Sequence, residues 1–166
     1  MNSGATRVPG RMHDLFGLAV FIALCLGVSA VGALVTATSV TTWYTTLNKP
    51  AFNPPDWVFA PVWTLLYLVI AVAGWRVWRL RRLAGARREM AAYAAQLILN
   101  LGWSLLFFGA HSIGVAFGEI VLLLAVIIVN AMMFWRVDRL AGWLLTPYAA
   151  WVGFAVALNF ALWRLN

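Results

Sequence analysis

Apolar residues run almost unbroken through five stretches of the chain, at about 15–39, 59–79, 91–108, 113–135 and 141–163. Each holds 18 to 25 residues, enough for a helix to cross roughly 30 Å of hydrocarbon. None alternates apolar and polar positions in segments of about ten, as the strands of a membrane barrel do. The pattern therefore predicts an all-α membrane protein, a five-transmembrane-helix bundle whose backbone groups are satisfied within each helix. Residues 1–166 read as a single domain, with a polar tail at 1–14 and a lid loop at 41–58 between the first two runs. Val35-Thr36-Ala37 offers a small-residue cleavage pattern, but the first run is about 25 residues where a secretory signal carries roughly 7 to 15. It is read as a retained span.

Composition agrees: 64% of residues are hydrophobic and 10% charged, which excludes an ordinary soluble domain. The net charge of +7 would fit nucleic acid, except that the arginines fall between apolar runs and form no reading face. They are read as topology signals and contacts for anionic membrane lipid, with no nucleic acid bound. Ten basic residues (Arg7, Arg11, Arg76, Arg79, Arg81, Arg82, Arg87, Arg88, Arg136 and Arg139) share one side against Lys49 and Arg164 on the other. The positive-inside rule then places the amino terminus in the cytoplasm, and the carboxyl terminus and the lid outside. One cysteine, Cys25, allows no intrachain disulfide.

Candidate chemistry gathers around Trp43–Tyr67, WYTTLNKPAFNPPDWVFAPVWTLLY, which holds four of the six prolines, the single lysine and three of the ten tryptophans. Pro50, Pro54 and Pro55 disfavour helix and ladder strand and stiffen the path, so the segment suits a lid. Beneath it, Trp63 and Tyr67 share a face of the second span, Gln96, Asn100 and Trp103 recur at i, i+4 and i+7 on the third, and Tyr148 and Trp151 follow Pro147 on the fifth. The amides serve either as glue between helices or as ligand contacts. Glu119 is an acid well inside a span; it either meets a ligand or a proton, or is protonated and bonded to an amide such as Asn100. Gly114 with Gly118, and Ala91 with Ala95, are small pairs that suit a dimer face or internal packing. Apolar walls with few polar groups suit a flat hydrophobic ligand with a polar edge. His13 and His111 stand in no metal or nucleophile motif, so neither a catalytic constellation nor a metal site is expected.

These residues resemble the TspO/MBR family, which includes tryptophan-rich sensory proteins and the translocator protein. The likeness is carried by Trp43-Tyr44, Lys49-Pro50, Pro54-Pro55 and Pro61-Val62-Trp63-Thr64 with Leu66-Tyr67, by Gln96, Asn100, Trp103, Phe107, Phe108 and Gly109, and by Pro147, Tyr148, Trp151 and Asn159. It implies a homodimeric five-helix receptor in a bacterial cell membrane, requiring no cofactor and binding a tetrapyrrole such as protoporphyrin IX or haem, or another hydrophobic small molecule. By position, Trp63 and Trp151 would stack on the ligand, Gln96 and Asn100 would line its cavity, and Trp43, Pro50, Phe52, Pro54 and Pro55 would close it; Tyr67, Trp103, Glu119 and Tyr148, singled out above from the residues themselves, complete the expected ligand-binding set. Alternatives are a porphyrin transporter and a light- and oxygen-dependent porphyrin-degrading enzyme. Two departures stand out: Phe52 replaces a frequent tryptophan, and Leu158, Phe160 and Arg164 put phenylalanine at the centre of a sterol motif.

Overall fold

The computed structural model describes residues 11–166, and the five apolar runs are five membrane-spanning helices. Helix α1 covers Arg11–Val40, α2 is a single turn at Trp43–Thr46, α3 covers Phe59–Gly85, α4 Arg87–Ser104, α5 Ile113–Val137, α6 Arg139–Leu144 and α7 Thr146–Leu165. The fifth span is thus two helices. Leu145 separates them, its N–H bonding Gly142 O at 3.1 Å, and Pro147 sits in the first turn of α7, where a missing N–H costs nothing. It starts a helix and kinks none.

The spans exceed their expected bounds because the connections are shorter than the polar residues suggest. Only Ala86 separates α3 from α4, and Asp138 alone separates α5 from α6. The reversal between the second and third spans begins at Arg82, inside α3, where the second span ends; its φ of 56° is left-handed, an unfavourable value for a side-chain-bearing residue. Its guanidinium lies 4.7 Å over the Trp78 ring and 3.5 Å from Asp14, which ties the reversal to the start of α1. The lid is less uniformly extended than its prolines predict: it contains α2, a turn closed by Asn53 N–H to Pro50 O at 3.0 Å, and a 3-10 turn at Asp56–Val58.

At the arginine-rich end the bundle is tight. A side chain on Gly17 would fall 2.3 Å from the Trp78 ring, and one on Gly74 2.6 Å from Tyr93 and 2.9 Å from Phe21. These glycines let α1, α3 and α4 close around aromatic rings. Arg76 Nε donates to Asp138 Oδ2 at 2.6 Å, while Asp138 Oδ1 accepts from Leu140 N–H at 3.0 Å and caps α6. Burial by itself would raise the Asp138 carboxyl, but the Arg76 bond, the Leu140 and Ala141 amides and the Arg76 charge together outweigh it and hold the group below the usual carboxylate range. Of the small pair on α5, Gly114 is already filled by the Trp163 indole at 2.9 Å, whereas Gly118 is open.

Candidate ligand cavity

At the opposite end, under the lid, the helices part around a cavity of about 510 Å³. Four spans and the lid build its wall. On α4, Asn100, Trp103 and Ser104 at i, i+3 and i+4 share one face, and Phe107 and Phe108 follow in the turn beyond it. The helix ends there in a wide turn, Leu105–Gly109, in which Ala110 N–H bonds Leu105 O at 2.8 Å. Trp103 stacks on Phe107 at 5.1 Å and meets Phe108 edge-on at 5.8 Å, giving a rigid aromatic panel. Trp63, Tyr67 and Phe59 line the α3 side, and Trp151, Ala155, Leu158, Asn159 and Leu162 the α7 side.

The polar groups of this wall are bonded to one another. Tyr67 Oη donates to Asn100 Oδ1 at 2.5 Å, and Asn100 Nδ2 donates to Tyr148 Oη at 3.0 Å. Trp103 Nε1 donates to Asn159 Oδ1 at 3.0 Å, and Asn159 Nδ2 to Ile113 O at 3.0 Å. Both amides therefore pin helices together, as buried polar side chains between membrane helices must. What they present to the cavity is mostly the apolar flank of the pairs they form.

Of the thirteen residues expected from sequence, Trp63, Tyr67, Asn100, Trp103 and Trp151 line the cavity. Tyr148 is fully buried behind it, holding Asn100 and meeting Trp63 edge-on at 6.3 Å. Gln96 lies one turn from Asn100, is fully buried and finds no hydrogen-bond partner among the described residues. Both carboxyl oxygens of Glu119 are likewise unpartnered, and a side chain on Gly102 of α4 would lie 3.7 Å from one of them; Asn100 is taken by two tyrosines instead. Neither Gln96 nor Glu119 lines the cavity.

Trp43, Pro50, Phe52, Pro54 and Pro55 belong to the cover and not to the wall. Trp43 stacks on His111 at 4.3 Å, and His111, itself at a left-handed φ of 54°, contacts Ser39 Oγ through Nε2 at 3.2 Å. Ser39 donates its hydroxyl hydrogen to Phe108 O at 2.6 Å, so the imidazole N–H is the donor to Ser39. Phe52 meets Phe154 edge-on at 6.2 Å, keeping the aromatic contact without an indole donor. Tyr44, with Thr41 and Asp56 at the two ends of the lid, does reach the cavity; the Tyr44 Oη donates to Asn53 Oδ1 at 2.7 Å and Lys49 lies 4.3 Å over its ring. Burial, then the nearby Asp56 charge, push the Tyr44 phenol up to about 12 against the opposing pull of the Asn53 bond.

The α1 side of the wall was not foreseen. Ser29, Ala33 and Ala37 at i, i+4 spacing, with Gly32, Thr36 and Val40, make a mostly small-residue stripe facing the cavity, continued by Thr41 just past the end of α1. The stripe was visible as spacing, but small residues on a membrane helix first suggest close packing.

Comparison with known proteins gives one family. The TspO/MBR family pattern matches residues 21–164. The chain is 42% identical over 157 residues to the tryptophan-rich protein TspO of Chlorobaculum tepidum, covering 92% of this chain and 98% of that protein. It is 40% identical over 128 residues to the translocator protein of Sus scrofa, covering 75% of each. It is 37% identical over 146 residues to the tryptophan-rich sensory protein of Cereibacter sphaeroides, covering 88% and 89%.

Proposed function

The chain belongs to the TspO/MBR family of integral membrane proteins, and from that premise we propose that it is a membrane receptor for porphyrins of the protoporphyrin IX kind, held in the cavity under the lid. The observation that carries this reading is the aromatic cavity itself. Its volume of about 510 Å³ falls within the 300–1,000 Å³ usual for small-molecule sites. A flat macrocycle binds by face and edge contact with rings, and Trp63, Trp103 and Trp151 offer indoles from three different helices. Because Asn100 and Asn159 are committed to holding the wall, stacking and shape dominate recognition. The sensory name of one relative supports the receptor reading. In this reading the lid faces away from the cytoplasm.

Purified protein titrated with protoporphyrin IX should show saturable quenching of tryptophan fluorescence. Replacing both Trp63→Phe and Trp151→Phe removes two indole faces and should weaken binding about tenfold, each stack being worth roughly 0.5–1.5 kcal/mol. A signal that never saturates, or one with the same midpoint in the double variant, rejects the reading.

A further inference from the structure

We infer that the ligand reaches this cavity sideways from the bilayer, through a slot between α1 and α3, while the lid stays shut. The inference rests on the receptor reading above and concerns its route. Among the described residues that line the cavity, the exposed ones are Ala33 and Ala37 of α1, Thr41 just after it, Ala60 and Thr64 of α3, and Asp56 just ahead of α3. No lining residue of α4 or α7 is exposed. The exposed part of the described wall therefore lies along one seam, between α1 and α3.

That seam is shaped as a passage. From Ala33 to the end of α1 at Val40 it spans seven residue steps of helix, about 10 Å, and Thr41 follows. Its sides are alanine and threonine, and where Thr64 lines it the hydroxyl is turned back onto Ala60 O at 2.8 Å, leaving a methyl to the slot. Deeper in the cavity Thr36 does the same with Gly32 O at 2.8 Å. Leu34 and Leu65, 73% and 62% exposed, lie next to the seam in sequence and belong among lipid chains. Asp56 and Thr41 mark its polar upper edge at the lid. A slot that is apolar below and polar above matches an amphipath lying at the membrane boundary with its polar edge toward water.

The lid, by contrast, is fastened from two directions. The backbone of Asn48 pairs with the side chain of Asn166 beyond α7, N–H to Oδ1 at 2.9 Å and C=O from Nδ2 at 3.1 Å. On the other flank Trp43 stacks on His111, which Ser39 holds. Opening the lid breaks these contacts together; passing through the slot breaks none of them.

The test uses the full chain in lipid nanodiscs and stopped-flow tryptophan quenching by protoporphyrin IX supplied in donor vesicles. Ala33→Phe with Ala60→Phe should slow association and dissociation together, each about fivefold or more, as expected when a path is obstructed. Ala37→Cys, alkylated with a bulky maleimide after folding, should slow both rates in the same way without depending on refolding; Cys25 is fully buried and stays unlabelled. Asn166→Ala, which frees the lid, should leave association unchanged. Unchanged rates in the blocked slot, or faster association in Asn166→Ala, would overturn the lateral route. If the unmodified protein shows no saturable quenching, the receptor reading fails instead.

Discussion

Helices α1 and α3 meet in two ways, and the difference explains what each half of the molecule does. Toward the arginine-rich end, small residues are filled: Gly17 by the Trp78 ring, Gly74 by Tyr93 and Phe21. Toward the lid, small residues on the same pair of helices are left unfilled, and Ala33, Ala37 and Ala60 border open space. The absence of a side chain permits close approach only when a neighbour supplies bulk to use it. One half therefore works as an anchor, closed by rings and by the Arg76–Asp138 bond at 2.6 Å. The other half works as a container, whose aromatic panel is held by amides from α4 and α7.

The contrast is broken most forcefully by adding the same side chain at both ends. Gly74→Leu places carbon into the Tyr93 and Phe21 rings and should destabilise the fold by about 3 kcal/mol, the upper part of the overpacking range. Ala60→Leu, at an exposed position beside the slot, should change stability by no more than about 0.5 kcal/mol. Thermal unfolding in detergent compares them. Equal losses would mean that the two crossings are packed alike.

The anchor can also be loosened by its charge. Because the Asp138 carboxyl is held below its usual range in the folded protein, its contribution is fully present above the ordinary carboxylate value and is lost as pH falls through the lowered one. Asp138→Asn should therefore cost about 2 kcal/mol at neutral pH, a hydrogen bond to a charged group being worth roughly 1.5–3. The gap between variant and parent should narrow as pH drops below about 4. A gap that stays constant from pH 7 to 3 would show that the carboxylate's charge contributes nothing.

How much of this was legible in the sequence divides along the same line. Five spans follow from apolar run length alone, and every one of them is present. The helices run a few residues past the apolar stretches, and the reversals begin at Arg82 and at Asp138, because arginines read as loop although helix and interface accommodate them. Of the residues that helical spacing singles out, Trp63 and Tyr67 on α3, Asn100 and Trp103 on α4 and Trp151 on α7 line the cavity. Gln96 is buried one turn below Asn100 and Glu119 stands on α5, both outside the cavity lining, since spacing gives the face of a helix but not the depth at which the bundle closes. The α1 wall escaped notice because alanine and glycine carry no chemistry of their own; which of them border a void depends on what the neighbouring helices put opposite.

The mildest perturbation probes whether the lid belongs to the container or to the anchor. Tyr44 is almost wholly buried, yet its hydroxyl bonds only within the lid, to Asn53 at 2.7 Å. Tyr44→Phe keeps the ring against Phe107 and Phe108 and deletes that single bond, worth about 1 kcal/mol. If the lid opens as a local unit, the loss should appear as faster amide hydrogen exchange confined to residues 47–53, with the unfolding temperature of the whole protein unmoved. Exchange that quickens equally along α1 would instead join the lid to the anchor in one cooperative unit. The bond geometry argues for the local outcome: Asn53 Nδ2 returns to Pro54 O at 3.0 Å, so the side chain that Tyr44 releases remains tied to its own loop and transmits nothing to the helices below.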